Sequence, residues 1–436
     1  MTVMTPELSG HQAARDAFVE GPGAQAPAWL ADLRQAGWDR FQELGFPTTD
    51  HEDWRIADVS PIAKTAFTLP KSQTAGADIG TFDDLSGPTL AFVDGAFAPE
   101  LSNIGSLPKG VLVMPLSEAI VSHRELVEPR LASLAGDGEA FTEMNTAFLR
   151  EGLFVHVAKN VDLPGAVQAR FLARASSDAC MTQMRSLVVL EEGARATVLE
   201  EFLSEDEAGP MFTNAVTQYF LGANAHGKHY LIEREHEAAY VVSSLYVEQQ
   251  RDTDFASHSA LLGGAVVRNN VFPTMRGENC MSVVNGMYIP HDDQIHDNRM
   301  LVRHTMPNCQ SRQYYRGILS DHAKTMFSGR IVVDEGAQQT DAVQSNKNLL
   351  LSRTCMAQTK PQLEIYADDV KCTHGATTGQ IDESAIFYFK ARGIHEADAR
   401  RLLTFAFVNE IFERMDLEVV RERLQGLVAD RLNQKV

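Results

Sequence analysis

The chain has 436 residues, of which 44 % are hydrophobic and 22 % charged, a composition typical of a folded protein with a sizeable core and two or three domains. Its formal net charge of −19 disfavours binding to the phosphate backbone of nucleic acid. No apolar run approaches the roughly 20 residues that a membrane span needs, and the N-terminus lacks the pattern of a secretory signal. These features predict a cytoplasmic protein that binds neither nucleic acid nor membranes.

The five cysteines are odd in number, widely spaced and without a CxxC pair. This pattern disfavours a disulfide framework, and it does not contain a local four-ligand zinc motif. Reduced thiols in a reducing compartment are the prediction.

Residues 1–150 predict a mixed, largely helical region. Apolar residues recur at helical intervals between residues 29 and 44. Around residues 89–97 an Asp-Gly dipeptide follows a β-type run, which predicts a hairpin. Two further helices are predicted over residues 117–135 and 138–149.

From residue 151 to residue 378 the pattern is β-rich, with small-residue corners and no long helical run. Apolar runs separated by acidic residues, Gly and Ala fit a sandwich, a barrel or a parallel β-helix, and the uneven corner spacing does not choose among them. The predicted strands are 153–157, 166–172, 186–190, 196–202, 215–221, 239–245, 265–271, 282–288, 324–333 and 362–366.

Residues 379–436 predict a C-terminal helical region. One apolar stripe runs from Leu402 to Met415 and a second from Leu417 to Leu432, with three or four residues between successive apolar positions. Aromatic residues in such stripes are more often core than binding surface.

A short strand ending in Cys372-Thr373-His374 carries the sharpest chemical signal. If the segment is extended, Cys372 and His374 point to one face, with Cα atoms about 7 Å apart. A thiolate and an imidazole so placed could bind one metal or cluster edge. A purely structural role for both residues is the competing interpretation.

A second group of potential ligands lies between residues 291 and 322, without a recognised metal-binding spacing. Buried polar residues inside a β-body are the favoured interpretation, and a metal site is the alternative. The group comprises His291, His296, His304, Cys309 and His322. The motifs of nucleophilic hydrolases, zinc proteases and nucleotide-binding loops do not occur, so the sequence matches none of these catalytic templates.

Three segments carry a resemblance to a known family. They span residues 321–333, 337–352 and 360–377, the last containing the heptapeptide KCTHGAT, and a Glu-Asp-Trp-Arg motif at residues 52–55 accompanies them. Together they resemble the SufB/SufD family of iron–sulfur cluster assembly proteins. The resemblance is dense over residues 300–415 and thinner over 150–300.

This resemblance implies a mainly β fold with a right-handed parallel β-helix core over residues 151–378. An N-terminal largely helical region over 1–150 and a C-terminal helical region over 379–436 would flank it. The implied complex joins this chain to SufB and to the ATPase SufC, which would bind the C-terminal region. The partner-binding residues would be Arg392, Gly393, Phe405 and Phe412.

The resemblance also assigns a role to Cys372 and His374, as half of a nascent cluster site shared with SufB. The isolated chain would hold no cofactor, and an iron–sulfur cluster would form transiently at the interface. SufB-type chains have a reactive cysteine where this chain has the segment 345–349, and Cys355 has no certain counterpart. Whether the isolated chain forms a homodimer stays open.

Two alternatives belong to other functional classes. A β-helix enzyme acting on polysaccharide would need clustered acids in a groove. Within each of the adjacent pairs Asp292-Asp293 and Asp368-Asp369, the two side chains would point to opposite faces of a strand, so neither pair makes a natural acid/base couple. A stand-alone metal carrier would use the ligands between His291 and Cys309.

Overall fold

The computed structural model describes residues 6–71, 74–80, 85–134, 138–174, 178–205 and 209–435. Its strands form two long sheets, one of ten strands and one of nine. Odd-numbered strands from β5 to β19 belong to the larger sheet and even-numbered strands from β4 to β18 to the smaller one. The strands are β1 (Thr89–Val93), β2 (Ala96–Phe97), β3 (Val111–Pro115), β4 (Leu153–Val157), β5 (Asp162–Ala173), β6 (Cys180–Leu190), β7 (Arg195–Ser204), β8 (Met211–Leu221), β9 (His226–Arg234), β10 (Ala239–Gln249), β11 (Asp254–Leu261), β12 (Val266–Met275), β13 (Met281–Tyr288), β14 (Ile295–His304), β15 (Gln310–Leu319), β16 (Lys324–Val333), β17 (Asp341–Leu350), β18 (Met356–Ile365) and β19 (Lys371–Gly379).

Every strand from β4 to β17 pairs in parallel with the strand two positions later, so each coil contributes one strand to each sheet. This is the parallel β-helix that the family resemblance implies, and the fold prediction is confirmed. The first end of the β-helix is covered by β1, β2 and β3, of which β3 pairs antiparallel to β4.

One corner of each coil contains a residue with left-handed backbone, with φ between 57° and 70°. Asn, Asp and Gly tolerate this conformation best, because their side chains are short and polar or absent. Successive corners stack through backbone hydrogen bonds, for example from the N–H of Asn160 to the carbonyl of Glu192. The corner residues are Asn160, Gly193, Asn224, Asp252, Asn279, Asn308 and Gln339.

Each of the ten predicted strands overlaps a real strand, and β4 and β16 have the predicted bounds. Within residues 151–378, five strands are not predicted from the apolar pattern, namely β9, β11, β14, β15 and β17. Their inward positions include polar residues that are nevertheless buried, such as Gln344, Asn346 and Asn348 in β17. Stacked coils supply hydrogen-bond partners for such side chains, so a polar strand is stable inside this fold.

The helices are α1 (Pro6–Glu20), α2 (Ala28–Leu44), α3 (Ser60–Lys64), α4 (Leu116–Ser122), α5 (Arg124–Leu131), α6 (Ala140–Ala147), α7 (Glu383–Lys390), α8 (Glu396–Phe412) and α9 (Glu418–Lys435). The hairpin predicted around residues 89–97 is confirmed, with Asp94 and Gly95 both at positive φ. The helix predicted over 117–135 is divided into α4 and α5 at His123, and residue 135 lies outside the described residues.

The N-terminal helices cover the outer face of the nine-stranded sheet. An aromatic cluster that includes Trp38, Phe41 and Phe141 packs there against β6 and β8. The Glu-Asp-Trp-Arg motif fixes this region in place, since the guanidinium of the buried Arg268 lies 4.3 Å from the centre of the Trp54 ring. The same guanidinium donates to the backbone carbonyl of residue 53 at 2.6 Å.

The C-terminal helices α8 and α9 cover the outer face of the ten-stranded sheet. Val408, Ile411 and Phe412 of α8, with Val420 and Leu424 of α9, are buried against apolar residues of that sheet. Each long sheet is therefore sandwiched between the β-helix interior and a helical layer. Among the helices in the described part of the chain, none is long and apolar enough to cross a membrane.

Candidate functional site

The β-helix ends in an open coil formed by β18 and β19. Each is the last strand of its sheet, so one edge of its backbone has no neighbouring strand. Eight of the nine residues of β19 are exposed, whereas the inward positions of β17 next to it are buried. An exposed strand edge is a template for pairing with another strand.

Cys372 and His374 both lie on β19. The register pairs Cys372 with Ala342 and His374 with Gln344, two buried residues that point into the β-helix. Because side chains stack in a parallel in-register ladder, Cys372 and His374 lie on the same, inward-facing side of the open coil. The same-face geometry expected from the spacing is therefore present.

The two side chains have different environments. Cys372 is half-buried and packs against an apolar cluster that includes Ile331 and Val333, while His374 is exposed. Burial raises the pKa of the Cys372 thiol, so the thiol is protonated at neutral pH in this state. A metal that binds this sulfur would displace the proton, because the thiolate is the ligand form.

This pair by itself is an incomplete ligand set. Among the residues that the structure describes, no group of three or more His, Cys, Asp or Glu side chains is placed to hold a metal ion. An iron–sulfur cluster is typically bound by four protein side chains, and two are present here. Further ligands would have to come from another molecule or from a rearrangement of this chain.

A buried polar network lies beneath the open coil. The hydroxyl of Tyr288 donates to Asn348 at 2.7 Å and accepts from Asn346 at 2.8 Å. Asn346 in turn accepts from Asn348 and from Thr359 of β18, both at 2.8 Å. Tyr288 reaches Asn348 across Gly317, where a Cβ atom would lie 2.1 Å from the tyrosine ring. The network joins β18 of the open coil to β17 and, across Gly317 of β15, to β13.

Cys355 lies just before β18 and is buried. Its sulfur lies 3.2 Å from the carbonyl oxygen of Ser352, to which the thiol donates, and it packs in the β-helix core. The segment 345–349 forms part of β17.

The ligand-rich stretch that begins at His291 does not form one site. His291 lies between two carboxylates, His296 hydrogen-bonds a backbone carbonyl at 2.8 Å, and His304 hydrogen-bonds a serine hydroxyl at 2.9 Å. Burial lowers the pKa of His296 to about 3 and that of His304 to about 4, so both are neutral. Cys309 is buried and His322 is exposed. The four buried residues agree with the interpretation as polar residues packed in a β-body, whereas His322 lies at the surface.

Of the residues predicted to bind a partner, two are buried or half-buried and two are exposed. Phe412 is fully buried between α8 and the ten-stranded sheet, and Phe405 is half-buried beside it, with ring centres 6.1 Å apart. Arg392 is exposed, and its guanidinium lies 3.5 Å from the centre of the Tyr388 ring. Gly393 has a φ of 81° in the turn after α7. In this arrangement Phe412 is a core residue, which offers no surface to a partner.

Three exposed apolar side chains near these residues form what we call the α7–α8 apolar surface. They are Phe387 and Tyr388 of α7, with 74 % and 56 % exposure, and Leu402 of α8, with 52 %. An ion pair of 2.9 Å between Arg400 and Glu383 joins the two helices. Sequence periodicity does not identify these residues as binding surface, because it does not indicate which side of a short helix faces solvent.

Comparison with known proteins connects this architecture to a family. Residues 171–407 match the family described as "SUF system FeS cluster assembly, SufBD core domain", and residues 23–169 match the "SufBD protein N-terminal region". The chain belongs to the SufBD family. Its members are components of the SUF system, which assembles iron–sulfur clusters.

Relatives in the SufBD family match over nearly their whole length. The iron–sulfur cluster assembly protein SufD of Escherichia coli is 30 % identical over 399 residues, covering 89 % of this chain and 90 % of that protein. A SufBD family protein of Synechocystis is 29 % identical over 412 residues, or 92 % and 91 % of the two chains. The SufD protein of Bacillus subtilis is 22 % identical over 421 residues, or 93 % and 94 %. The family prediction is thereby confirmed.

Proposed function

We propose that this chain is the SufD-type subunit of a cytoplasmic SUF assembly complex, and that it is a scaffold component without catalytic activity of its own. It would pair with SufB and bind the ATPase SufC. The observation that carries this proposal is the open coil of β18 and β19, which combines unpaired strand edges with an incomplete ligand pair. The similarity to two proteins named SufD supports the choice of subunit.

Pairing with SufB would use the free edges of β18 and β19. Strand-to-strand addition satisfies backbone N–H and C=O groups that otherwise face solvent, and it extends both sheets into the partner. Exposed apolar residues at this end support such a contact, since Met356, Ile365 and Tyr366 are 38 %, 38 % and 64 % exposed. A partner strand would cover them.

The nascent cluster is the product that this interface would help to form. Cys372 and His374 would contribute one thiolate and one imidazole, and SufB would contribute the other ligands. The raised pKa of Cys372 means that iron would compete with a proton for the sulfur. The isolated chain would therefore hold no stable cluster, since half of the ligand set is missing.

Binding of SufC would use the α7–α8 apolar surface together with Arg392 and Gly393. Exposed apolar side chains grouped on one surface are typical of protein contacts. Phe405 and Phe412 would act indirectly in this arrangement, by holding α8 against the ten-stranded sheet.

The role of His374 is tested by replacing it with alanine in a strain that depends on the complex. We expect His374→Ala to fold and to co-purify with SufB and SufC, but to abolish cluster maturation in cells. Thr373→Ala is the matched control, because Thr373 is also exposed and belongs to the neighbouring position of the same strand. Normal maturation with His374→Ala would refute the proposed site.

If the C-terminal region binds SufC, deleting residues 396–436 should remove that binding. The structure makes this deletion hard to interpret, because α8 and α9 cover an apolar sheet face that would become exposed. Replacing Leu402 by aspartate leaves that face covered and disrupts only the α7–α8 apolar surface. Undiminished co-purification of Leu402→Asp with SufC would contradict the proposed contact.

A further inference from the structure

A column of small buried side chains runs along one corner of the β-helix. Each member directly follows the left-handed corner residue of its coil, and its carbonyl accepts a backbone hydrogen bond from the next coil. Four of the positions carry alanine or threonine, which fit the narrow corner, and two adjacent positions carry cysteine. The column comprises Ala194, Ala225, Thr253, Cys280, Cys309 and Thr340.

The stacking brings Cys280 and Cys309 next to each other. The N–H of Gln310 donates to the carbonyl of Cys280 at 2.8 Å, so the two cysteines lie in register on adjacent coils. Strands in register are about 4.8 Å apart, which falls within the range of roughly 4.4–6.8 Å between Cα atoms that a disulfide requires. Both sulfurs also lie close to one carbonyl oxygen, that of Gly277, at 3.2 and 3.3 Å.

The environment activates one thiol of the pair. The hydroxyl of Thr253 donates to the sulfur of Cys280 at 3.4 Å, and Cys309 packs beside Cys280 in one small buried cluster. The neighbouring Cys309 thiol lowers the pKa of Cys280, and Cys280 raises the pKa of Cys309. Of the two thiols, Cys280 therefore loses its proton more readily, and Cys309 lies beside it as the thiol that can resolve an oxidised sulfur.

The two cysteines are buried but lie beside exposed residues. Cys280 and Cys309 are themselves covered, but their chain neighbours Asn279, Asn308 and Gln310 are exposed. The corner that carries the two cysteines is therefore at the surface of the β-helix, with the cysteines covered beneath it.

We propose that Cys280 and Cys309 are an oxidisable dithiol that forms a disulfide between two coils of the β-helix. The oxidant is a hydroperoxide, with hydrogen peroxide as the simplest case. The Cys280 thiol gives up its proton as its sulfur attacks one peroxide oxygen. The O–O bond breaks, the leaving oxygen takes up that proton, and a sulfenic acid and one water form. The Cys309 sulfur then attacks the sulfenic sulfur, the S–O bond breaks, and a second water leaves. Two thiols are oxidised by two electrons, and one peroxide is reduced to two waters. This inference does not depend on the proposed role in cluster assembly.

The test is peptide mapping of the full chain before and after treatment with hydrogen peroxide. Free thiols are blocked with an alkylating agent, and the protein is digested with trypsin without reduction. Cleavage after Arg276 and Arg299 releases Cys280 in one peptide, and cleavage after Arg303 and Arg312 releases Cys309 in another. We expect these two peptides to become linked, with a mass two hydrogens below their sum. The number of alkylatable thiols should fall from five to three per chain.

Three variants make the outcome specific. Cys280→Ser and Cys309→Ser should each abolish the linked peptide, whereas Cys180→Ser, which changes a buried cysteine outside the column, should retain it. Circular dichroism before oxidation checks that each variant is folded. The proposal is overturned if wild-type protein keeps all five thiols after peroxide treatment, or if Cys280 is oxidised to a sulfinic acid without forming the link. The wild-type map decides the matter even if a serine variant does not fold.

Discussion

The same substitution should lower stability at one phenylalanine of the C-terminal region and leave it nearly unchanged at another. Phe412 is fully buried in the layer between α8 and the ten-stranded sheet, whereas Phe387 of α7 is 74 % exposed. Truncating a buried phenylalanine to alanine removes its apolar contacts and leaves a cavity, which costs about 3–5 kcal/mol. Truncating an exposed side chain usually changes stability by less than about 0.5 kcal/mol.

We therefore expect Phe412→Ala to destabilise the docking of α8 and α9, and Phe387→Ala to leave it nearly unchanged. Urea unfolding followed by tryptophan fluorescence measures global stability, and hydrogen exchange of α8 amides measures local opening. Affinity for SufC, measured by calorimetry, should fall with Phe387→Ala at unchanged stability. Equal loss of stability in the two variants would refute the assignment of one residue to the core and the other to the surface.

The remaining predictions concern the β-helix. Burial, with the nearby Glu233 as a second cause, raises the pKa of Glu235 to about 8, so the folded state retains a proton that the unfolded state loses above pH 4.5. The stability that this group contributes is thus lost as the pH rises from about 4.5 through 8. Glu235→Gln should therefore flatten the pH profile of thermal unfolding. A slope equal to that of the wild type would contradict the raised pKa of Glu235. Asn346→Leu removes hydrogen-bond partners from the buried network and should lower the free energy of unfolding, measured in urea, by about 1–3 kcal/mol. Ser345→Ala, at the less buried neighbouring position, should leave that free energy nearly unchanged. Gly317→Ala should destabilise the same coil, because its methyl group would meet the ring of Tyr288; equal stability of this variant and wild type would show that the coil can shift to make room.

Local patterns were sufficient where a strand or turn is defined by its own residues. β4 is mostly apolar, β16 ends in the apolar run Ile331–Val333, and the Asp94-Gly95 turn consists of two residue types that tolerate positive φ, so all three agree with the prediction. β14 and β17 were missed, because their buried positions are polar and gain hydrogen bonds only after neighbouring coils are stacked on them. One local signal for the coils was present in the corner residues, which include Asn160, Asn224 and Asn308, although their uneven spacing conceals the repeat.

The sequence by itself determined the family, through the segment around KCTHGAT, and it determined that Cys372 and His374 share a strand face, because strand alternation is a local property. Tertiary structure decided where in the protein that strand face lies. Only the register of β19 on β17 places both residues at the inward side of an open coil, with one half-buried and the other exposed. The adjacency of Cys280 and Cys309, which are 29 positions apart in the chain, likewise exists only because each coil returns the backbone to the same corner.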